Sequence, residues 1–255
     1  MPYLICIVPV CPARREPLHQ SEQVTQLLFG DVAEILDTAK DFVRVKHLYD
    51  EYEGWCQRSQ LEEISIEQIT DAPALLSAAH INEAMVNGKS MFIPMGCSVG
   101  SLSKGKQVFG NMTVEYNGEV VDPSRIKDSA ECIRDIANKF LNTAYLWGGR
   151  SVFGVDCSGF TQTVLRFAGI PLLRDAYQQA SQGEAIGFLQ EARCSDLAFF
   201  DNEEERITHV GILLDPSTII HASGKVRIDF LDHYGIINND TGLRTHKLRV
   251  VKRIL

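Results

Sequence analysis

The chain has 255 residues, 45% of them hydrophobic and 23% charged, with 25 Lys and Arg against 33 Asp and Glu. This is the composition of a soluble globular protein, long enough for one large domain or two to three small ones. A formal charge of −8 argues against a broad surface for nucleic acid or an anionic membrane, and no apolar run reaches the length of a membrane span. Seven cysteines at positions 6, 11, 56, 97, 132, 157 and 194 form an odd, scattered set without a CxxC pair. No zinc site, other metal or cofactor is therefore expected, and reduced thiols in a cytoplasmic setting are.

The chain opens "MPYLICIVPVCPARREP". Its charges follow the apolar run, the reverse of a secretory signal, so a first buried strand is predicted. "QLLFGD", "VAEIL", "FVRVKHL" and "YEGWCQRSQLEEI" are short strand-like runs broken by Gly, Asp and polar turns, which predicts a small barrel over residues 1–65. Residues 66–125 are predicted as a second, smaller β unit. There "DAPALLSAAHINEAMVNG" suits a short helix or an anchored loop, and "KSMFIPMGCSVG", "KQVFG" and "MTVEYNGEVVDP" suit strands. Asn117-Gly118 is the hairpin signal, because both central residues of a two-residue type I′ turn need positive φ.

The pattern changes after Pro123, and residues 126–255 are predicted as a separate domain. "SAECIRDIANKFLN" aligns Ile133, Ile136, Ala137, Phe140 and Leu141 on one helical face, with Ser129 as a candidate N-cap and Asn142 near the end. "DCSGFTQTVLRFAG" aligns Phe160, Val164, Phe167 and Ala168, and is stopped by Gly169 before Pro171. "DLAFF", "THVGILL", "TIIHAS", "VRIDFL" and "HKLRVVKRIL" follow as strands. Helices before antiparallel strands predict an α+β fold.

Cys157 stands at the start of the second helix, where free N–H groups and the helix dipole favour a thiolate. A nucleophilic thiol needs a base. His19 and His47 suit surface or satisfied β positions, and His80, His233 and His246 lie in loops or near the end without a companion motif. His209 and His221 flank Asp215-Pro216-Ser217, a turn-forming set. A hairpin symmetric about Asp215 would set them directly opposite each other, as a base and its orienting partner. Gly148, Gly149, Gly154 and Gly159 crowd the cysteine. They suit close backbone approach to a ligand, or tight packing of a loop on the helix.

"YLWGG…GVDCSGF", "LLRDAYQQA", "DLAFF", "HVGILL" and "IIHAS…VRI", in that order, resemble the NlpC/P60 family of cell-wall cysteine peptidases over about residues 125–255. The resemblance implies an α+β fold made of a papain-like catalytic domain. It implies Cys157 as nucleophile, His209 as general base, His221 as third polar residue and Tyr145 as a helper at the oxyanion site. "LLFGD" and "YEGWCQRSQL" resemble the bacterial SH3-type barrels that precede such domains, so one or two small SH3-like barrels are implied. This arrangement is similar to the members that hydrolyse the γ-D-glutamyl–diamino acid bond of murein stem peptides with a free N-terminal L-alanine. A murein peptide is then the expected partner, with neither nucleic acid nor membrane. A buried ammonium needs carboxylates and hydroxyls. The candidates by resemblance are Asp156, Ser158 and Asp175, with Glu16 and Tyr52 from the barrel. Glu16 and Tyr52 are equally readable as ordinary loop residues, and Asp156 as a stabiliser of the turn. Ala176 stands where the family often has serine. The rival readings are an amidase or acyltransferase on the same scaffold, and a wall-binding module with an inert hydrolase domain.

Overall fold

In the computed structural model, residues 3–70, 72, 74–102, 105–126 and 129–254 are described. The chain forms two compact units: residues 1–125 with 150–152, and residues 126–149 with 153–255.

The first unit is almost wholly β. Strands β1 (Tyr3–Cys6), β2 (Val10–Arg14), β3 (Gln23–Leu28), β4 (Val32–Ala39), β5 (Phe42–His47), β6 (Glu53–Gln57) and β7 (Leu61–Ile64) form one sheet in the order β3-β2-β6-β5-β4-β1-β7. The single opening strand expected from "YLICIVPV" is two strands, β1 and β2. Alternating side chains point inward, and Leu4, Cys6, Cys11, Leu27, Val43, Val45 and Cys56 make one apolar core. After a one-turn helix α1 (Ile66–Thr70) come β8 (Leu76–Ser77), β9 (Ile81–Val86), β10 (Lys89–Pro94), β11 (Gln107–Phe109), β12 (Met112–Tyr116) and β13 (Val120–Val121). Ala84, Ile93, Phe109 and Val114 from these strands share a second core with Ile5, Leu28, Phe29 and Ile64.

Two local expectations for this stretch are corrected. Residues 76–77 and 81–86 are strands, and in the second Asn82 and Ala84 face inward while Ile81 and Glu83 face out, a period of two. The tight hairpin turn is Asn87-Gly88, with φ of 50° and 73° between the paired residues Val86 and Lys89. Asn117-Gly118 has no positive φ; the strand after it, β13, pairs with β8 instead of β12.

The second unit begins with α2 (Ser129–Lys139) and continues through β15 (Gly154–Val155), α3 (Cys157–Phe167) and the one-turn α4 (Ala176–Gln179); β14 (Arg150–Ser151) belongs to the first unit. Ile133, Ile136, Ala137 and Phe140 are buried as the periodicity requires, whereas Leu141 is exposed, because the helix has ended and the left-handed Asn142 (φ 66°) turns the chain. Ser129 is already helical and so is not the cap; position 128 lies outside the described residues. Phe140 and Phe160 meet edge to face at 5.6 Å and join α2 to α3. At the end of α3, Gly169 adopts φ 76°, the left-handed stop anticipated before Pro171.

The sheet of this unit contains β16 (Glu184–Ile186), β17 (Leu197–Asp201), β18 (Ile207–Asp215), β19 (Thr218–Ser223), β20 (Lys225–Asp232), β21 (Gly235–Ile237) and β22 (Arg244–Arg253), in the order β16-β22-β17-β18-β19-β20-β21. All its pairs are antiparallel, and β21 also pairs with β22, so six of the strands close on themselves. Closure removes the open edges of those six strands. Helix α3 packs on β18 and β19, which sets the start of the helix against the strands that carry His209 and His221.

Candidate active site

The start of α3 is fixed by Asp156. Its backbone is extended, and its Oδ1 accepts from the Gly159 N–H at 2.6 Å, the side-chain cap that a helix N-terminus needs. Its Oδ2 accepts from the Gly148 N–H at 2.8 Å. Arg174, 1% exposed, donates Nη1 to Oδ1 at 3.1 Å and Nη2 to Oδ2 at 2.7 Å, and Nη1 also donates to Ser158 Oγ at 2.9 Å. The Asp156 carboxylate is thus occupied on both oxygens. Gly159 is required by contact: a Cβ there would sit 2.1 Å from the Gly149 carbonyl oxygen. These glycines pack the loop onto the helix.

The two histidines meet, by a different register from the symmetric one. A bulge between Leu213 and Asp215 moves the turn onward, so His221 pairs with Gly211, and His209 sits one diagonal step away on the same face. Imidazoles span that diagonal, and His209 Nε2 lies 2.8 Å from His221 Nδ1. Gly211 leaves the room, since a Cβ on it would lie 2.8 Å from the His221 Cβ and 2.7 Å from Ile219 Cδ1. On its far side, His221 Nε2 lies 3.0 Å from Asp229 Oδ2.

Burial sets the protonation states. It pushes the Cys157 thiol up to about 12, the adjacent Asp156 charge adds to this, and the Val210 N–H and Arg174 oppose it. The lowering expected from the helix end is therefore outweighed, because Cys157 is only 7% exposed and stands beside a carboxylate. Burial pushes His209 well below the ordinary imidazole value, with His221 and His246 adding to the effect. Thiol and imidazole are then both neutral at rest. A thiolate formed at Cys157 would lie at the start of α3, where the helix dipole favours an anion.

Tyr145, half-buried, has its hydroxyl pKa raised by burial and then by the neighbouring Cys157 and Asp156, which keeps it a neutral donor. Asp175 begins α4, its N–H donating to Gln178 Oε1 at 2.9 Å. Glu16 is exposed after β2 and Tyr52 half-buried before β6, both in the first unit.

Sequence reasoning missed four residues here. Arg174 neutralises Asp156. Asp229 and Arg227 lie beyond His221. His246, set aside as lacking a companion, lies on β22 stacked on His209, with centroids 4.1 Å apart and an interplanar angle of 25°. Burial and His221 push His246 down to about 4, so it adds no positive charge near neutrality. Asp229 had a signal, because a hairpin centred on Gly224 puts residues 227 and 229 on the His221 face. Among the described residues, His209, His221 and His246 bring ligand atoms within 4.8 Å of one another, close enough to hold a metal ion. His209 Nε2 and His221 Nδ1 are already joined by a 2.8 Å hydrogen bond, which an ion taking those nitrogens would have to replace.

A thiol opening a buried helix, set on the strands of an α+β unit that carry a linked imidazole pair, defines a cysteine peptidase of the papain-like class. The NlpC/P60 family profile matches residues 142–245, and that of the bacterial dipeptidyl-peptidase SH3 domain matches residues 13–61. A γ-D-glutamyl-L-lysine dipeptidyl-peptidase of Bacillus subtilis is 31% identical over 217 residues, 78% of this chain and 71% of the relative. One of the same name from Bacillus cereus is 32% identical over 123 residues, 46% of this chain and 37% of the relative. The chain belongs to the NlpC/P60 family. Its fold is also that of the crystal structure of an NlpC/P60 family protein from Bacillus cereus, with a TM-score of 0.81 at 20% identity over 99% of each chain.

Proposed function

We propose that the protein hydrolyses the γ-D-glutamyl–diamino acid bond of murein stem peptides that have a free N-terminal L-alanine, releasing L-Ala-D-Glu for recycling. The observation that carries the reading is the 2.8 Å His209–His221 pair on the strands against which the Cys157 helix packs. The bond class comes from the relatives named γ-D-glutamyl-L-lysine dipeptidyl-peptidase.

In this reading the Cys157 proton passes to His209 as the sulfur attacks the γ-carbonyl of D-glutamate. The oxyanion is met by the Cys157 N–H and the Tyr145 hydroxyl. His209 then returns the proton to the leaving amine, forming the thioester, and draws a proton from the water that hydrolyses it. His221 orients His209. Asp156, Ser158 and Asp175 are the proposed contacts of the substrate ammonium, and for Asp156 that contact shares oxygens already bonded to Gly148, Gly159 and Arg174. Glu16 and Tyr52 are proposed recognition residues on resemblance alone. None of the described helices is long and apolar enough to cross a membrane. Seven cysteines without a disulfide fit a reducing compartment, and the proposed setting is the cytoplasm.

The test is mass spectrometry of L-Ala-γ-D-Glu-diamino acid peptides with free, acetylated or glycan-linked N-termini. Cleavage of the free peptide with release of L-Ala-D-Glu is expected. Equal rates on the acetylated peptide would refute ammonium recognition, and cleavage only of substrates lacking the γ-D-Glu linkage would favour an amidase or acyltransferase.

A further inference from the structure

The histidine pair continues beyond its second ring. The β19–β20 register sets His221 opposite Arg227 and leaves Asp229 one diagonal step away on the same face. Asp229 is 1% exposed, and its Oδ2 lies 3.0 Å from His221 Nε2. Arg227 grips the carboxylate with both arms, Nε donating to Oδ2 at 2.7 Å and Nη2 to Oδ1 at 2.9 Å. The Asn239 N–H donates to Oδ1 at 2.9 Å. Burial alone would discourage the charge here. The hydrogen bonds from His221, Arg227 and Asn239 outweigh it and hold the carboxyl well below the usual carboxylate range.

A carboxylate in the ionised state has no proton to give. His221 must therefore carry its hydrogen on Nε2, and the neutral form of the ring then presents a lone pair at Nδ1. Among the described residues the partner of that lone pair is His209 Nε2 at 2.8 Å, so His209 must donate there. Its own lone pair is left on Nδ1, the one ring nitrogen on which it can accept a proton from Cys157. Two neutral imidazoles joined in this way have two hydrogen-bond directions available, and only one of them leaves His209 a base. In the other, His221 donates from Nδ1, and His209 carries its hydrogen on Nδ1 and can accept nothing from the thiol.

We propose that Asp229, clamped by Arg227, is a positioning residue that selects the base-competent direction of the His209–His221 hydrogen-bond chain. It touches neither sulfur nor substrate. When the thiol proton moves from Cys157 Sγ to His209 Nδ1, a thiolate and an imidazolium form without change in net charge. The anion at the far end of the chain then faces the new cation across a neutral ring. Arg227 keeps Asp229 ionised, and Asp240, 2.9 Å from Arg227 Nη2, balances the guanidinium from outside.

The proposal rests on the catalytic roles assigned above to His209 and His221, but its first test needs no substrate. Nitrogen-15 NMR of histidine-labelled full-length protein near neutral pH reads the tautomer of each ring. Both His209 and His221 are expected as the Nε2–H form, and a dominant Nδ1–H form of either in the wild-type chain overturns the proposal. In Asp229→Asn, the Nδ1–H population of the two rings is expected to rise; unchanged tautomers in a folded variant overturn it as well. Turnover is the second readout. With KM within about twofold, kcat of Asp229→Asn is expected to fall at least about tenfold, the order of a weakened general base, and Asp229→Glu is expected to recover part of it. A fall in melting temperature with kcat per folded molecule unchanged would mean a purely structural role. If the wild type cleaves no murein peptide but shows both Nε2–H tautomers, the substrate assignment fails and the proton ordering stands.

Discussion

At Cys157 two effects of opposite sign meet, the helix end that lowers a thiol pKa and the burial that raises it. Burial wins in the resting protein, at about 12. The rate of iodoacetamide labelling of Cys157 in the full chain, followed by peptide mass spectrometry, is therefore expected to keep climbing above pH 9. A plateau already reached by about pH 7 would mean a preformed thiolate–imidazolium pair. A second consequence concerns Arg174, which reads in the sequence as one more basic residue and in the fold is a buried clamp. Arg174→Met leaves a mostly buried Asp156 carboxylate without its cation. It is expected to lower stability by about 3 kcal/mol, the order for breaking a buried ion pair, measured by urea unfolding. Loss of the helix cap geometry would also lower kcat. That Cys157 opens a helix and His209 lies on a strand was legible in the sequence; the part of Arg174 was not, because it depends on a fold-back that no local pattern reveals.

At the scale of elements, the hairpin of β18 and β19 decides whether the imidazoles meet. Its sequence shows two histidines on strands and a turn between them, but the bulge before Asp215 carries no distinctive residue. The diagonal register was for that reason invisible, although the face was right. Gly211 becomes intelligible only with this register. Gly211→Ala drives a Cβ into Ile219 and His221, with an overpacking cost of about 1–3 kcal/mol. The displaced His221 ring is expected to reduce kcat more than it raises KM in steady-state assays. Equal kinetics for the two proteins would show that the ring tolerates the crowding. The same limit of local reading appears in the first unit, which has two Asn-Gly pairs. Asn87-Gly88 makes the hairpin, because the strands on either side of it pair with each other; the strand after Asn117-Gly118 is claimed by β8. Helix α2 was legible because its buried Ile133, Ile136 and Ala137 follow its periodicity, whereas α3 is buried on nearly every side, Thr161, Gln162 and Thr163 included, so its span was legible and its burial was not.

Across the whole molecule, each unit contains a buried histidine arrangement of opposite electrostatic sense. His209 is surrounded by imidazoles and held neutral. His47, in the first unit, lies with Nδ1 2.9 Å from Asp50 Oδ1 and Nε2 3.5 Å from Asp31 Oδ2. Burial alone would lower its pKa, but the Asp50 and Asp31 charges outweigh burial and raise it. Arg150 Nη1 lies 3.7 Å from Asp31 Oδ2 in the same buried cluster. A raised folded value means that the stabilisation is fully present below the unfolded imidazole value of about 6.5 and is lost as pH rises through the folded value. Thermal melts from about pH 6 to about pH 9 are expected to show a steeper fall for the wild type than for His47→Gln. Parallel curves would show that His47 carries no charge in the fold. The architecture as a whole was readable as strands followed by helices and a sheet. The closure of that sheet through β21 was not, because three residues give no periodicity to detect.

The assignment of Cys157 as the attacking group is tested most directly by one comparison. Wild type and Cys157→Ala, shown to be equally folded by circular dichroism, are incubated with L-Ala-γ-D-Glu-L-Lys, and released L-Ala-D-Glu is quantified by mass spectrometry. The wild type is expected to release it, and the variant to be slower by at least about 10³-fold, the order seen when a nucleophile is removed. Comparable release by both proteins would contradict the assignment.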